Sequence, residues 1–211
     1  MQAGSSDRGR EFVARWAEVI FTIQRGREEM RDFYDDIKSR MQARGRAPNE
    51  CAILPAVTVV LGETASIANE RAKYLDSLID PQLSLASSSS NLGADLTKLE
   101  SGKTFAELQG NQGMKGSQDV LEQTMKAGGL SFKEAAVNRS KGHEVVGTAS
   151  MIVDYLQEVF ESGVCDGFVL APTMFPGMFE QFCRSVVPEL QRRGLFRTEY
   201  TGRTLREIIR S

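Results

Sequence analysis

Ile53-Leu54-Pro55-Ala56-Val57-Thr58-Val59-Val60-Leu61 runs directly into Gly62-Glu63-Thr64. The run is apolar and rich in β-branched residues without alternation, the pattern of a strand covered on both faces of a parallel sheet. Gly62-Glu63-Thr64 then opens a helix reaching about Ile79, so the whole stretch reads as one βα unit. A second unit precedes it. Val19-Ile20-Phe21-Thr22-Ile23 has the composition of another buried strand, and Glu28 to Arg44 follow as a long helix. In that helix Met30, Phe33, Tyr34, Ile37 and Met41 share one stripe, leaving Asp32, Asp35, Lys38 and Arg40 for water, with Gly45 as the stop. Strand, helix, strand, helix defines an α/β fold built from parallel units.

Further out, Glu11 to Ala17 reads as a short helix. Beyond Ile79 the alternation breaks, because Pro81 to Ser117 is rich in Ser, Gly and Asn and includes Ser87-Ser88-Ser89-Ser90. A connection this long is either a functional lid or a disordered segment. We expect residues 81–143 to form an irregular insertion within a single domain spanning 1–211, with two short helices at Gln118–Lys126 and Ser131–Asn138. Ser131 and Glu134 are spaced as a capping box for the second. The alternation resumes at Glu144-Val145-Val146. Thr148 is the N-cap of a helix with Ile152, Tyr155, Leu156, Val159 and Phe160 on one stripe, and Gly163 ends it. Gly167 to Ala171 reads as a last buried strand. A loop, Pro172 to Gly177, leads into a helix from about Phe179 to Arg193 that Pro188 should kink. The C-terminal tail, 194–211, is expected to pack along the body.

The 211 residues carry a net charge of -2, which argues against a surface built for nucleic acid or anionic membrane. Cys51, Cys165 and Cys183 are odd in number and lack CxxC spacing, so neither a disulfide framework nor a metal site is indicated, and a reducing cytoplasm fits. No apolar run approaches the roughly 20 residues that cross a bilayer, and the opening residues lack a basic-then-apolar pattern, so export is not expected.

The opening stretch Gln2-Ala3-Gly4-Ser5-Ser6-Asp7-Arg8-Gly9 has two readings. A small-residue turn with two hydroxyls entering a helix offers N–H and O–H donors to an anion. By composition alone, a Gly/Ser-rich start is more often a frayed tail.

Several stretches together resemble the flavin-dependent monooxygenases of the bacterial luciferase-like superfamily, in the branch of nitrilotriacetate, dibenzothiophene sulfone and long-chain alkane monooxygenases. They are Gln2-Ala3-Gly4-Ser5-Ser6 with Gly9, Ala17-Glu18-Val19-Ile20-Phe21-Thr22, Gly142-His143 with Val145-Val146-Gly147-Thr148, Cys165-Asp166-Gly167-Phe168, and the long block from Val187 to Tyr200. The similarity covers nearly the whole chain and is weakest from about Ser84 to Lys115. It is to the C-terminal half of family members, whose usual Pro-Glu after the Gly-Thr turn is replaced here by Ala149-Ser150.

The resemblance implies a partial (β/α)8 TIM barrel: about strands 6 to 8 plus the exit of strand 5, from which Met1 would start. It also implies reduced FMN, delivered by a separate flavin reductase, as the cofactor with which O2 is activated and a small organic substrate oxygenated. The flavin phosphate would be gripped after the fifth strand, at Gln2, Ala3, Gly4, Ser5 and Ser6. Phe21 and Thr22, and Thr173, Met174 and Phe175, would follow strands at the barrel mouth, where a substrate-wall role competes with plain packing. His143 is the single histidine and the candidate for a proton role, against a structural reading. Leu83 to Lys115 matches a segment that would cover the active site. A missing N-terminal half or a homo-oligomer would complete the sheet, since exposed edges invite association. The alternative function is a non-catalytic remnant, or a dimerising half-barrel module retaining at most an anion site.

Overall fold

The computed structural model describes residues 1–24, 26–93, 95, 96, 125 and 129–210. In chain order the described elements are β1 (Gln2–Ala3), α1 (Asp7–Trp16), β2 (Val19–Thr22), α2 (Arg27–Ala43), β3 (Ala52–Leu61), α3 (Ala65–Ser77) and α4 (Pro81–Leu92). They continue with α5 (Phe132–Lys141), β4 (Glu144–Gly147), α6 (Ala149–Glu161), β5 (Val169–Ala171), α7 (Gly177–Gln181), α8 (Val187–Arg192) and α9 (Leu205–Arg210). The chain divides into two compact units, 1–72 with 143–211, and 73–142.

The first unit is a parallel sheet with helices. β1 pairs with β2 from Gln2 opposite Ile20, and β2 with β3 from Val19 opposite Ala52 to Thr22 opposite Pro55. β4 takes the far end of β3, Thr58 to Leu61, and β5 takes Ala56 to Thr58. Thr58 therefore has Glu144 on one edge and Ala171 on the other. This is the α/β, parallel arrangement that the alternation of strands and helices predicts.

Burial divides the two faces of the sheet. Ile20 and Ile53 enter a core with Val13 and Ala14 of α1 and Phe33, Ile37 and Met41 of α2. Val57, Val59 and Leu61 join Ile152, Val153 and Leu156 of α6 with Met178 and Val186, and Val145, Phe168 and Leu170 pack against them. Each such side chain contributes about 1.5–3 kcal/mol when fully removed from water. The alternate positions Val19, Phe21, Leu54, Val146, Val169 and Ala171 are only half-buried, although Ala56 and Val60 beside them are buried. The expectation of a strand covered on both faces thus holds for part of β3, whereas β5, expected to be buried, is half-buried at all three positions.

Further differences have local causes. Lys38, expected in water, is buried at 7% exposure, with Nζ donating to the carbonyls of Pro48 and Cys51 at 2.7 Å and to Asp166 Oδ2 at 2.8 Å. Asp166 also accepts from the Ile53 N–H (2.8 Å) and the Tyr34 hydroxyl (3.1 Å), so one carboxylate joins α2, the start of β3 and the approach to β5. Burial, and then the negative charge of Asp166, push the Tyr34 hydroxyl up to about 12. On α6, Val153 is buried while Phe160 is 42% exposed, so the stripe is rotated from the one expected. Gly45 and Gly163 take positive φ at the helix ends, as expected. Before Pro188 the helix widens into a π-helical turn, Phe182–Val186, where the Val187 N–H reaches back five residues to the Phe182 carbonyl. Proline has no N–H to continue the normal ladder and its ring crowds the preceding turn, so the extra residue relieves both. The helix after β5 also begins earlier than expected, at Gly177. The tail carries α9 and is tied to Glu18 through Arg206 at 3.0 Å.

The second unit corrects the expected irregular insertion. Pro81–Leu92 is a helix: Asp80 accepts from the Gln82 N–H (2.7 Å), Pro81 occupies the first turn, and Gly93 closes it. Four consecutive serines concealed it, since serine is a weak helix former that competes for its own backbone. Ser84, Ser88 and Leu92 form the buried stripe at a spacing of four. Leu92, Leu96 and Ala135 are the centre of this unit's core, with Leu85, Met125 and Leu130 packed against them. The Ser131 capping box is present in both directions, the Ser131 N–H to Glu134 at 2.8 Å and the Glu134 N–H to Ser131 at 3.3 Å. The proposed lid beyond α4 and the helix Gln118–Lys126 lie outside the described residues, apart from Gly93, Asp95, Leu96 and Met125.

Candidate functional site

β1 ends at Ala3, and Gly4-Ser5-Ser6 turns into α1. Ser6 is the N-cap: it is extended (φ -64°, ψ 154°), and its hydroxyl oxygen accepts from the Gly9 N–H at 3.2 Å. Its carbonyl accepts from the Arg10 N–H at 2.9 Å. The N–H groups of Asp7 and Arg8 have no partner among the described residues, as the first turn of a helix leaves them. A Cβ on Gly9 would lie 3.2 Å from Ser6 Oγ and 3.5 Å from the Gly4 carbonyl, so glycine lets the turn lie against its helix.

Arg10 ties this turn to α2. Its Nε donates to the Ser5 carbonyl (2.9 Å), its Nη1 to Asp36 Oδ2 (2.8 Å), and its guanidinium lies 4.7 Å from the centre of the Phe33 ring. Asp36 also accepts from Arg40 Nε at 2.7 Å, and Arg40 reaches Asp7 at 2.7 Å and Glu11 at 2.8 Å. Burial opposes the charge on Asp36, yet Arg10 and Arg40 hold its carboxyl below the usual range. Arg40 thus offsets the carboxylate of Asp7, which would otherwise repel an anion at the helix start. The turn is an N-cap tied to α2 through Arg10.

The remaining candidates fall as follows. Register places Ala3 beside Phe21. Phe21 is half-buried with Val19, whereas Thr22 is buried on the alternation of Ile20 and accepts a hydrogen bond from Gln24 Nε2 at 3.0 Å. Thr173 is half-buried, and Met174 and Phe175 are 41% and 80% exposed in the loop after β5. Phe175 meets Phe179 edge-on with ring centres 6.0 Å apart. His143 precedes β4, its carbonyl accepts from the Thr58 N–H (2.7 Å), and its Nε2 lies 2.5 Å from the Tyr155 hydroxyl. Cys51 and Cys165 are buried, which pushes the Cys165 thiol up to about 11, whereas Cys183 is exposed. No group of three His, Cys, Asp or Glu side chains among the described residues is placed to hold a metal. No described helix is long and apolar enough to cross a membrane. An open polar cleft of about 620 Å³ lies in the second unit, lined by residues 77–82 and Lys133, and contains none of these candidates.

A family model described as luciferase-like monooxygenase matches residues 1–166. The chain belongs to that family. Dibenzothiophene-sulfone monooxygenase of Rhodococcus erythropolis is 37% identical over 221 residues, which are 99% of this chain and 48% of that protein. Nitrilotriacetate monooxygenase component A of Aminobacter aminovorans is 35% identical over 214 residues, 99% of this chain and 47% of that protein. A riboflavin lyase solved with modified FMN and riboflavin superposes with a TM-score of 0.88 at 26% identity, over all of this chain and 46% of that one. The chain spans about half the length of the curated relatives it matches.

Within this luciferase-like chain, two groups of residues escaped the sequence reading. Arg10, Asp36 and Arg40 look like surface charges on amphipathic helices, and only the packing of α1 on α2 brings them to the turn. Asp166 lies in the Cys165–Phe168 stretch, where neighbouring residues give no sign of its role. Its partners Lys38, Tyr34 and Ile53 are all more than a hundred residues away in sequence.

Proposed function

We propose that this chain is the C-terminal portion of a two-component, reduced-FMN-dependent monooxygenase that oxygenates a small organic substrate, with its sheet forming about strands 5 to 8 of a (β/α)8 barrel. The observation that carries the reading is the Gly4-Ser5-Ser6 turn: it leaves a parallel strand at its C-terminal end and enters α1 with unpaired N–H groups. Ligands of open parallel sheets bind beyond that end of the strands.

The donor set fits a phosphate. Ser5 supplies a hydroxyl. The Ser6 oxygen is engaged by Gly9, which leaves its proton free to donate to a phosphate oxygen. The backbone of Asp7 and Arg8 adds two N–H donors at the positive end of a ten-residue helix. Gln2, Ala3 and Gly4 shape the approach, and the small residues Ala3 and Gly4 keep the backbone accessible. Reduced FMN, when bound, supplies the electrons for O2 activation, and a separate flavin reductase would deliver it. Phe21, Thr173, Met174 and Phe175 would form an apolar wall that orients substrate and excludes water, with Thr22 supporting from beneath. His143 is held by Tyr155, and we give it no catalytic role.

The test is a fluorescence titration with FMN and with riboflavin, using the 211-residue chain alone and the chain joined to the preceding half of the Rhodococcus relative. FMN binding that exceeds riboflavin binding in either form supports the assignment. Equal binding of both flavins, or none in both forms, overturns it in favour of a half-barrel module without a phosphate grip. In that event the half-buried face of the sheet becomes the surface to examine for self-association.

A further inference from the structure

We infer that Arg10 is the positioning residue of the phosphate-gripping turn: it fixes the direction of the Ser5–Ser6 peptide so that its N–H, with those of Asp7 and Arg8, is presented to the anion. The inference rests on the reading of Gln2 to Ser6 as the FMN phosphate site. The geometry is specific. A trans peptide carries its C=O and N–H on opposite sides. Arg10 Nε draws the Ser5 carbonyl towards α1 at 2.9 Å, so the N–H of Ser6 is turned away from the guanidinium. Without that bond a Gly-Ser-Ser turn has several accessible conformations, and freezing them on binding would cost affinity.

The guanidinium is itself fixed by two neighbours: Asp36 holds Nη1 at 2.8 Å and the Phe33 ring lies beneath it, while Arg40 anchors Asp36 through its other oxygen at 2.7 Å. Arg10 side-chain exposure is 28%. Its charge is directed to Asp36 and its Nε to a neutral carbonyl, so its part in anion binding is orientation more than attraction. Lysine has a single ammonium on a flexible stem and does not reproduce a planar fork that serves a carbonyl and a carboxylate together.

The experiment uses whichever form of the chain binds FMN in the titration above. Arg10→Met, Arg10→Lys and Asp36→Asn are compared with the parent for dissociation constants of FMN and of riboflavin, with circular dichroism melts in parallel. Expected is a loss of about tenfold in FMN affinity for both Arg10 variants and about threefold for Asp36→Asn, with riboflavin within about twofold, because only the phosphate senses the turn. Asp36→Asn keeps the test open if either Arg10 variant fails to fold. Full FMN affinity in Arg10→Lys overturns positioning in favour of simple charge attraction. Parallel loss for both flavins, or none, assigns Arg10 to stability alone. If the parent itself does not prefer FMN over riboflavin, the phosphate-site reading fails and this inference falls with it. Preference in the parent that survives all three variants sinks the inference alone.

Discussion

The two ends of the parallel sheet are built differently. At the start of β3, Asp166 has three partners, and the ammonium of Lys38 is enclosed by Asp166 and two carbonyls. At the end of β1, the first-turn N–H groups of α1 have no partner among the described residues, and after β5 the ring of Phe175 is 80% exposed. One end closes its polar groups against each other; the other leaves donors and apolar surface available. In parallel α/β folds stability and ligand binding divide between the two ends in this way.

The largest effect should come from the closed end. Asp166→Ala leaves the Lys38 charge buried without its carboxylate, and is expected to cost about 3 kcal/mol, the lower part of the range because Asp166 is partly exposed. Urea denaturation followed by circular dichroism measures it, and a change below about 1 kcal/mol would mean that water replaces the partner. A pH series examines the same cluster. The Tyr34 hydroxyl is raised from 10 to about 12, so the unfolded chain loses that proton first. Stability from this group is complete below pH 10 and declines as pH rises towards 12, and Tyr34→Phe should flatten the decline.

At the open end the effects on folding should be smaller. Ser6→Ala removes the N-cap and is expected to cost about 1 kcal/mol in the same denaturation, together with weaker FMN binding in the fluorescence titration. If the cost in folding appears without the loss in binding, the turn is a cap and nothing more. Phe175→Ala should change stability by less than about 0.5 kcal/mol, since the ring is mostly in water. A larger cost would move Phe175 from the open end to the packed core and weaken the contrast.

The strands and long helices were legible because their signals are local. The apolar run of β3 and the stripe of α2 need no knowledge of distant contacts to be recognised. Pro81–Leu92 was obscured by its serines, although Asp80, Pro81 and Gly93 mark both ends; the capping signals were present and the weak propensity masked them. The candidate turn was readable as a donor-rich helix start, whereas its support was not. Arg10 and Asp36 are 26 residues apart on different helices, and no periodicity relates them.

By itself, then, the amino-acid sequence determined the α/β class and the parallel units through composition and periodicity, and the luciferase-like resemblance, with the place it implies for the Gly-Ser-Ser turn, through matched blocks. Only the tertiary structure decided that the turn is an ordered cap, that Lys38 is buried, and that one face of the sheet carries most of the core. Those outcomes depend on which helices pack together and on the desolvation that follows, and neither is written in any window of adjacent residues.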